Sequence, residues 1–169
     1  MFNLIISIIA IALVVVLAGA SLYYGGDAFN KGSEEAKAST YINQAQQVQA
    51  AATLFKASNG GLPTNLAQLV TDKYMAGTPK LATGTGAWEV DKTVGVVHVS
   101  QTTDTSAKVG ITLNICDTIN DNGAGVVSCV EKGADLATTI ASGKQIDLDA
   151  PAGASTVATA ADVTVFMKL

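Results

Sequence analysis

The first 24 residues, MFNLIISIIAIALVVVLAGASLYY, contain no Asp, Glu, Lys or Arg, and only Asn3, Ser7 and Ser21 add conventional polar groups. No later segment limits the possible folds as strongly. At about 1.5 Å rise per residue, a helix of this length spans about 36 Å, enough to cross a hydrocarbon core of about 30 Å. Tyr23 and Tyr24 fall where interfacial aromatics are expected, and Asp27 and Lys31 follow them. Three readings fit such a segment. A cleavable secretory signal accounts for the small residues Ala18-Gly19-Ala20, but it would need a basic n-region and a shorter apolar run. A plain anchor lacks the flanking Lys or Arg that would orient it. The third, which we adopt, is a helix whose cytoplasmic leader has been removed, leaving an apolar N-terminus.

The remainder reads as an ordinary water-soluble chain. With 169 residues there is room for one domain, and the charged fraction of 14% is well below the roughly 25% usual in soluble domains. Mean hydropathy is +0.35 and the pI about 4.7. Much of the apolar excess lies at the N-terminal end, and no second apolar stretch of about 20 residues follows, which excludes a polytopic membrane protein. The net charge is -4. All the basic residues are Lys, so the chain lacks both a basic footprint and the guanidinium fork that grips phosphate, and stable nucleic-acid binding is not expected.

Beyond Gly25-Gly26 the segment to Asn59 is rich in Ala, Gln, Glu and Lys and free of Pro. Ala38, Tyr41, Ala45, Val48, Ala52 and Phe55 recur at helical spacing and form one apolar stripe. Lys37, Asn43, Gln46, Gln47 and Lys56 occupy the other face, and Asn59-Gly60-Gly61 supplies a stop. The pattern predicts a near-continuous helix over about residues 1–58, apolar all round in its first half, amphipathic in its second, and weakest at Gly25-Gly26. The stripe is the face of a helix packed on its own domain; the first half has no such partner in the chain.

Pro63 and Pro79 bound a connecting segment with a short helix expected over Leu66 to Asp72. From residue 86 the composition turns to β. Expected strands are Trp88 to Asp91, Val94 to Ser100, Val109 to Cys116, Val126 to Glu131, Gln145 to Leu148 and Val163 to Leu169. His98 and Ser100 alternate with Val97 and Val99, as in a strand with one wet face. The expected fold class is α+β: a long N-terminal helix packed against a C-terminal antiparallel β-sheet. The organisation is 1–26 as an apolar transmembrane or filament-core helix and 27–169 as a globular head. The head divides into an amphipathic helix 27–58, a connecting loop 59–85 and a sheet 86–169.

Cys116 and Cys129 are the only cysteines. Two thiols and a single His make a poor metal site, so a disulfide is expected, contributing about 3 kcal/mol by closing its loop. The enclosed DTINDNGAGVVS reads as a hairpin tip with Asn122-Gly123 in a type I′ turn. Asp117, Asn120 and Asp121 there are either a solvated turn or an oxygen cage for calcium, although EF-hand spacing is lacking. His98, the single His, has no neighbouring nucleophile motif, and no phosphate loop, G-x-S-x-G or metal-spaced cluster occurs. Neither an enzymatic activity nor a cofactor is therefore expected. Glu34-Glu35, flanked by Lys31 and Lys37, reads as a solvated helix face. Phe2, Tyr23, Tyr24, Phe29, Tyr41 and Phe55 along the helix are explained by packing and interfacial anchoring without electron conduction.

The opening Phe2-Asn3-Leu4-Ile5, the charge-free helix running into an amphipathic half, and the run Gly61-Leu62-Pro63-Thr64-Asn65-Leu66-Ala67-Gln68-Leu69 together resemble a type IV pilin. Tyr74-Met75, Pro79-Lys80 and the late Cys pair belong to the same likeness, which covers the whole chain in layout and about residues 1–80 in motif. Met1 in place of an initial Phe is similar to the type IVb branch. One departure is that type IV pilins usually carry a glutamate near the start of the mature helix, where this chain has Ile5 and Ile6.

The resemblance implies a major pilin, a structural subunit that forms a helical homopolymer at the cell surface after residing in the inner membrane. Prepilin peptidase and the pilus assembly machinery are the implied partners. Phe2, Leu4, Ile5, Ile6, Ile8, Ile9, Ile11, Leu13, Val14, Val15, Val16 and Leu17 would form the filament core or membrane helix. Gly19, Gly25 and Gly26 would be the places where it bends. A minor pilin, a type II secretion pseudopilin and a single-pass membrane-anchored binding domain are the alternatives.

Overall fold

The computed structural model describes residues 2–82, 86–101, 110–131, 136–142 and 163–169. The chain divides into two compact units, Met1–Glu34 and Glu35–Leu169. The first consists of the earlier part of helix α1 (Phe2–Asn59). Its helical assignment continues through Gly19, Gly25 and Gly26, and a Cβ placed on any of these glycines meets nothing within 4 Å.

The second unit contains the later part of α1, helix α2 (Leu66–Thr71), strands β1 (Glu89–Asp91) and β2 (Val96–Gln101), helix α3 (Leu113–Asn122), strand β3 (Val127–Glu131), helix α4 (Leu136–Ser142) and strand β4 (Val163–Lys168). The stripe read from the sequence is the buried face of α1: Ala38, Tyr41, Ala45, Val48 and Ala52 are fully buried and Phe55 nearly so. Asn43, Gln46, Gln47 and Lys56 are exposed on the other side. Ala38, Ala45 and Ala52 of this stripe share one core with the sheet residues. Tyr41 meets Trp88 with ring centroids 6.4 Å apart, and Phe55 meets Tyr74 edge-on at 5.4 Å.

The helix stops where expected. The Gly60 N–H donates to the Lys56 carbonyl at 2.8 Å, and Gly60 takes φ +75°, a conformation that favours a residue without Cβ. The Leu-Pro-Thr-Asn-Leu run that follows starts α2. Asn65 is its N-cap, accepting from the Gln68 N–H at 2.9 Å, while the Gln68 side chain accepts from the Thr64 N–H. Leu66 and Leu69 then turn inward and are buried. Gln44 secures the rest of the connecting segment, donating to the Lys80 carbonyl at 2.6 Å and accepting from the Trp88 indole N–H at 2.8 Å.

The sheet has strand order β1-β2-β4-β3 and is antiparallel throughout. Val97, Val99, Val127, Cys129, Val163, Val165 and Met167 face the main core with α1. The opposite face is not simply wet. Val96, Val130 and Phe166 form a second, smaller core against Val94, Leu136 and Ile140, the last two from α4. The central strand β4 is therefore buried at five successive positions, Val163 to Met167. A strand covered on both faces, with Thr164 the one polar residue in its buried run, gives no alternation to read.

Two expectations fail between residues 109 and 126. A strand over Val109 to Cys116 and a hairpin tip beyond it were expected, and the described part is helix α3 instead. The β-branched residues that favour a strand are overridden by helical order: Ile115, Cys116 and Ile119 recur on one face and are buried, as is Ile111 just ahead of the cap. Thr112 is the N-cap, accepting from the Ile115 N–H at 3.3 Å. Asn122-Gly123 is accordingly not a type I′ turn. Gly123 is the C-cap with φ −73°, its N–H donating to the Ile119 carbonyl. The expected strand Gln145 to Leu148 lies outside the described residues, as do residues 102–109 and 149–162.

Candidate functional site

The feature in need of a partner is the first unit. Leu4, Ile5, Ile6, Ile8, Ile9, Ile11, Leu13, Val14, Val15, Val16 and Leu17 are all exposed, from 53% at Ile5 to 69% at Leu4 and Val16. The side chain of Phe2 lies outside the described residues. Leu22, Tyr23 and Phe29 continue the exposed surface. Because consecutive residues point in different directions around a helix, the apolar surface has no polar side to turn to water. Ser7 removes one of the few polar groups by donating its hydroxyl to the Asn3 carbonyl at 2.8 Å. Among the described residues this is the one helix long and apolar enough to cross a membrane, and none of the residues in its most apolar stretch is buried. Such a surface is stable only against lipid or other apolar helices.

Cys116 and Cys129 form the expected disulfide, with Cα atoms 5.3 Å apart. It ties α3 to β3 rather than closing a hairpin. Asn120, one turn beyond Cys116, donates its amide to the Cys129 carbonyl at 2.9 Å and accepts from the Cys129 N–H at 2.7 Å. The oxygen proposed for a calcium cage is thus occupied by a backbone donor. Among the described residues no group of three or more His, Cys, Asp or Glu could hold a metal ion. Gly123 comes next on this face. Its carbonyl accepts from the Val127 N–H at 3.2 Å, and a Cβ there would collide with the Val127 and Ile119 carbonyl oxygens. Sequence reading missed this arrangement, although the spacing Cys116, Asn120, Gly123 is a helical stripe. Gly123→Ala should cost about 1–3 kcal/mol of stability in chemical denaturation, because backbone rather than a flexible side chain occupies the space.

His98 lies in β2 opposite Glu89, with Nε2 3.6 Å from Oε2. Its Nδ1 is buried without a hydrogen-bond partner. Burial pushes the imidazole pKa below its ordinary value, against the opposing pull of Glu89 and Asp91. Asp91 is itself held low, chiefly by the Val94 N–H, with the Thr93 N–H also donating to its carboxylate across the β1–β2 turn. Since the folded His98 pKa lies below the unfolded value near 6.5, the unfolded chain takes up a proton first as pH falls. Stability present above about pH 6.5 is then lost as pH drops toward the folded pKa. Melting temperature measured from pH 7.5 to 5 should fall for the wild type, and His98→Gln should flatten that slope.

The fold and the exposed helix define a class: an α+β protein with a long N-terminal apolar helix and a small C-terminal sheet, an arrangement loosely like that of pilins. Comparison with protein-family models, curated proteins and solved structures gives no match for this chain.

Proposed function

We propose that this chain is a structural subunit without enzymatic activity, the major pilin of a type IV pilus or pilus-like filament, polymerising through its apolar N-terminal helix. The observation that carries this reading is the exposure of the apolar residues from Leu4 to Leu17 on all sides of α1. Before assembly, the inner membrane would cover that surface. In the filament, equivalent helices of neighbouring subunits would cover it in the core, each buried Å² contributing about 25 cal/mol relative to water. The amphipathic part of α1 favours the same arrangement, because it ties a folded head to the apolar segment through the stripe Ala38 to Phe55.

Ile5 and Ile6 stand where type IV pilins usually have a glutamate, so subunit docking would rest on apolar burial in place of an ion pair. Growth into a fibre requires one subunit to present two different surfaces that meet head to tail. Prepilin peptidase and the assembly machinery are the partners this role requires, and the cell surface is its location. Electron microscopy of the purified chain and of sheared cell-surface material tests the proposal. Filaments composed mainly of this chain are expected, whereas a strictly monomeric membrane species would sink it. A filament containing the chain only in trace amounts would favour the minor-pilin reading.

A further inference from the structure

We propose that helix α3 guards the outer edge of strand β3, and that the pairing it withholds is with the β3 strand of a second copy of this chain. The inference concerns the head alone and does not depend on the filament reading. Among the described residues, strand β3 lies at the end of the order β1-β2-β4-β3 and pairs on one side, with β4. In an antiparallel edge strand, alternate residues direct N–H and C=O outward, a ready template for another strand. Val127 and Cys129 are those residues here, and α3 meets their outward groups. The Val127 N–H goes to the Gly123 carbonyl, and the Cys129 N–H and carbonyl go to the Asn120 side chain.

The primary amide of Asn120 supplies one donor and one acceptor, the same pair a neighbouring strand would offer to Cys129. It imitates a strand without continuing one. Gly123 lets the helix end approach the Val127 carbonyl, where a side chain would force it away. The disulfide from Cys116 fixes the helix in this register on Cys129. All three contacts fall on one stripe of α3 and on two residues of β3. The opposite edge, β1, is only three residues long and exposes Glu89, a different safeguard against pairing.

Lifting α3 would expose a Val-Ser-Cys-Val backbone. The occupant it fits is its own twin, because two copies aligned antiparallel about Cys129 match donor to acceptor by two-fold symmetry. The guard thus prevents closed head-to-head pairing and leaves self-association to other surfaces.

The test uses the full chain in detergent micelles, as wild type, Asn120→Ala and Asn120→Asp, each oxidised or treated with a phosphine. The phosphine gives two electrons to the disulfide, leaving two thiols, and takes oxygen from water to become its oxide. Amide hydrogen exchange at Val127 and Cys129 is read beside that at Val97, Val99 and Val165, together with particle mass by light scattering over a protein concentration series. Oligomers formed through α1 are common to all samples and cancel in the comparison.

Oxidised wild type should hold the Cys129 amide protected. Reduced Asn120→Ala should exchange it roughly tenfold faster when dilute, the effect of losing its hydrogen bond. As concentration rises, particle mass should double and the Cys129 amide should become protected again. Asn120→Asp keeps an acceptor for that N–H and should fall between the two. A reduced Asn120→Ala protein that keeps wild-type mass at every concentration overturns the proposal, as does a dimer with Cys129 still exchanging. Loss of protection at Val97, Val99 and Val165 together with Cys129 also overturns it, since α3, whose Ile115, Cys116 and Ile119 lie in the core, could then not leave the edge without unfolding the sheet.

Discussion

Ile9→Asp should abolish filaments and release the chain from membranes, the largest effect expected of any single substitution here. Ile9 is 58% exposed in the middle of the apolar segment, so the change disturbs no packing within its own unit. On insertion scales, Ile favours the membrane centre by a few tenths of a kcal/mol and Asp opposes it by roughly 2.5–3.5 kcal/mol, a difference of about 3–4 kcal/mol. That corresponds to roughly a hundred- to a thousandfold loss in partition, and each filament subunit would carry the same penalty in a core of like helices. Ile9→Leu changes shape without polarity and should assemble as wild type. Membrane fractionation and filament yield by electron microscopy measure both variants. Unchanged filament yield for Ile9→Asp would refute a buried role for the helix.

Trp88→Ala should produce the largest loss of head stability, about 3–5 kcal/mol, through lost burial and the cavity left behind. Trp88 is 2% exposed, packs on Tyr41 and donates its indole N–H to Gln44. Removing it leaves the Gln44 oxygen without its Trp88 partner, while the Gln44 bond to the Lys80 carbonyl remains. Gln44→Ala removes the same hydrogen bond and the one to Lys80 but little volume, so a loss of about 1–2 kcal/mol is expected. Urea denaturation followed by circular dichroism separates the two, and equal losses would show that the hydrogen bonds rather than packing dominate. Wild-type unfolding can also be followed by fluorescence, because Trp88 is the only Trp.

The two substitutions probe regions that were unequally legible. The stripe from Ala38 to Phe55 could be read residue by residue, since helical periodicity is local and the buried face repeats it. The Asn59-Gly60 stop and the short helix from Leu66 were readable for the same reason: caps act within a few residues. Most strands were placed to within a few residues, but α3 was read as strand and turn. Its β-branched residues carry a strand preference, and only packing of Ile115, Cys116 and Ile119 into the core selects the helix. Helix α4 went unseen because its apolar residues, Leu136 and Ile140, matter only when the sheet behind them is known.

The sequence by itself determined that residues 1–24 form a charge-free apolar segment long enough to span a bilayer as a helix, that the following helix has one buried stripe, that an antiparallel sheet follows, and that two cysteines would pair. These rest on solvation, local periodicity and count. Tertiary structure alone decided that the cysteines join a helix to an edge strand, that Asn120 serves the Cys129 backbone instead of a cation, and that β4 is covered on both faces. Each is a contact between residues placed by different elements, and its energy exists only once those elements are packed together.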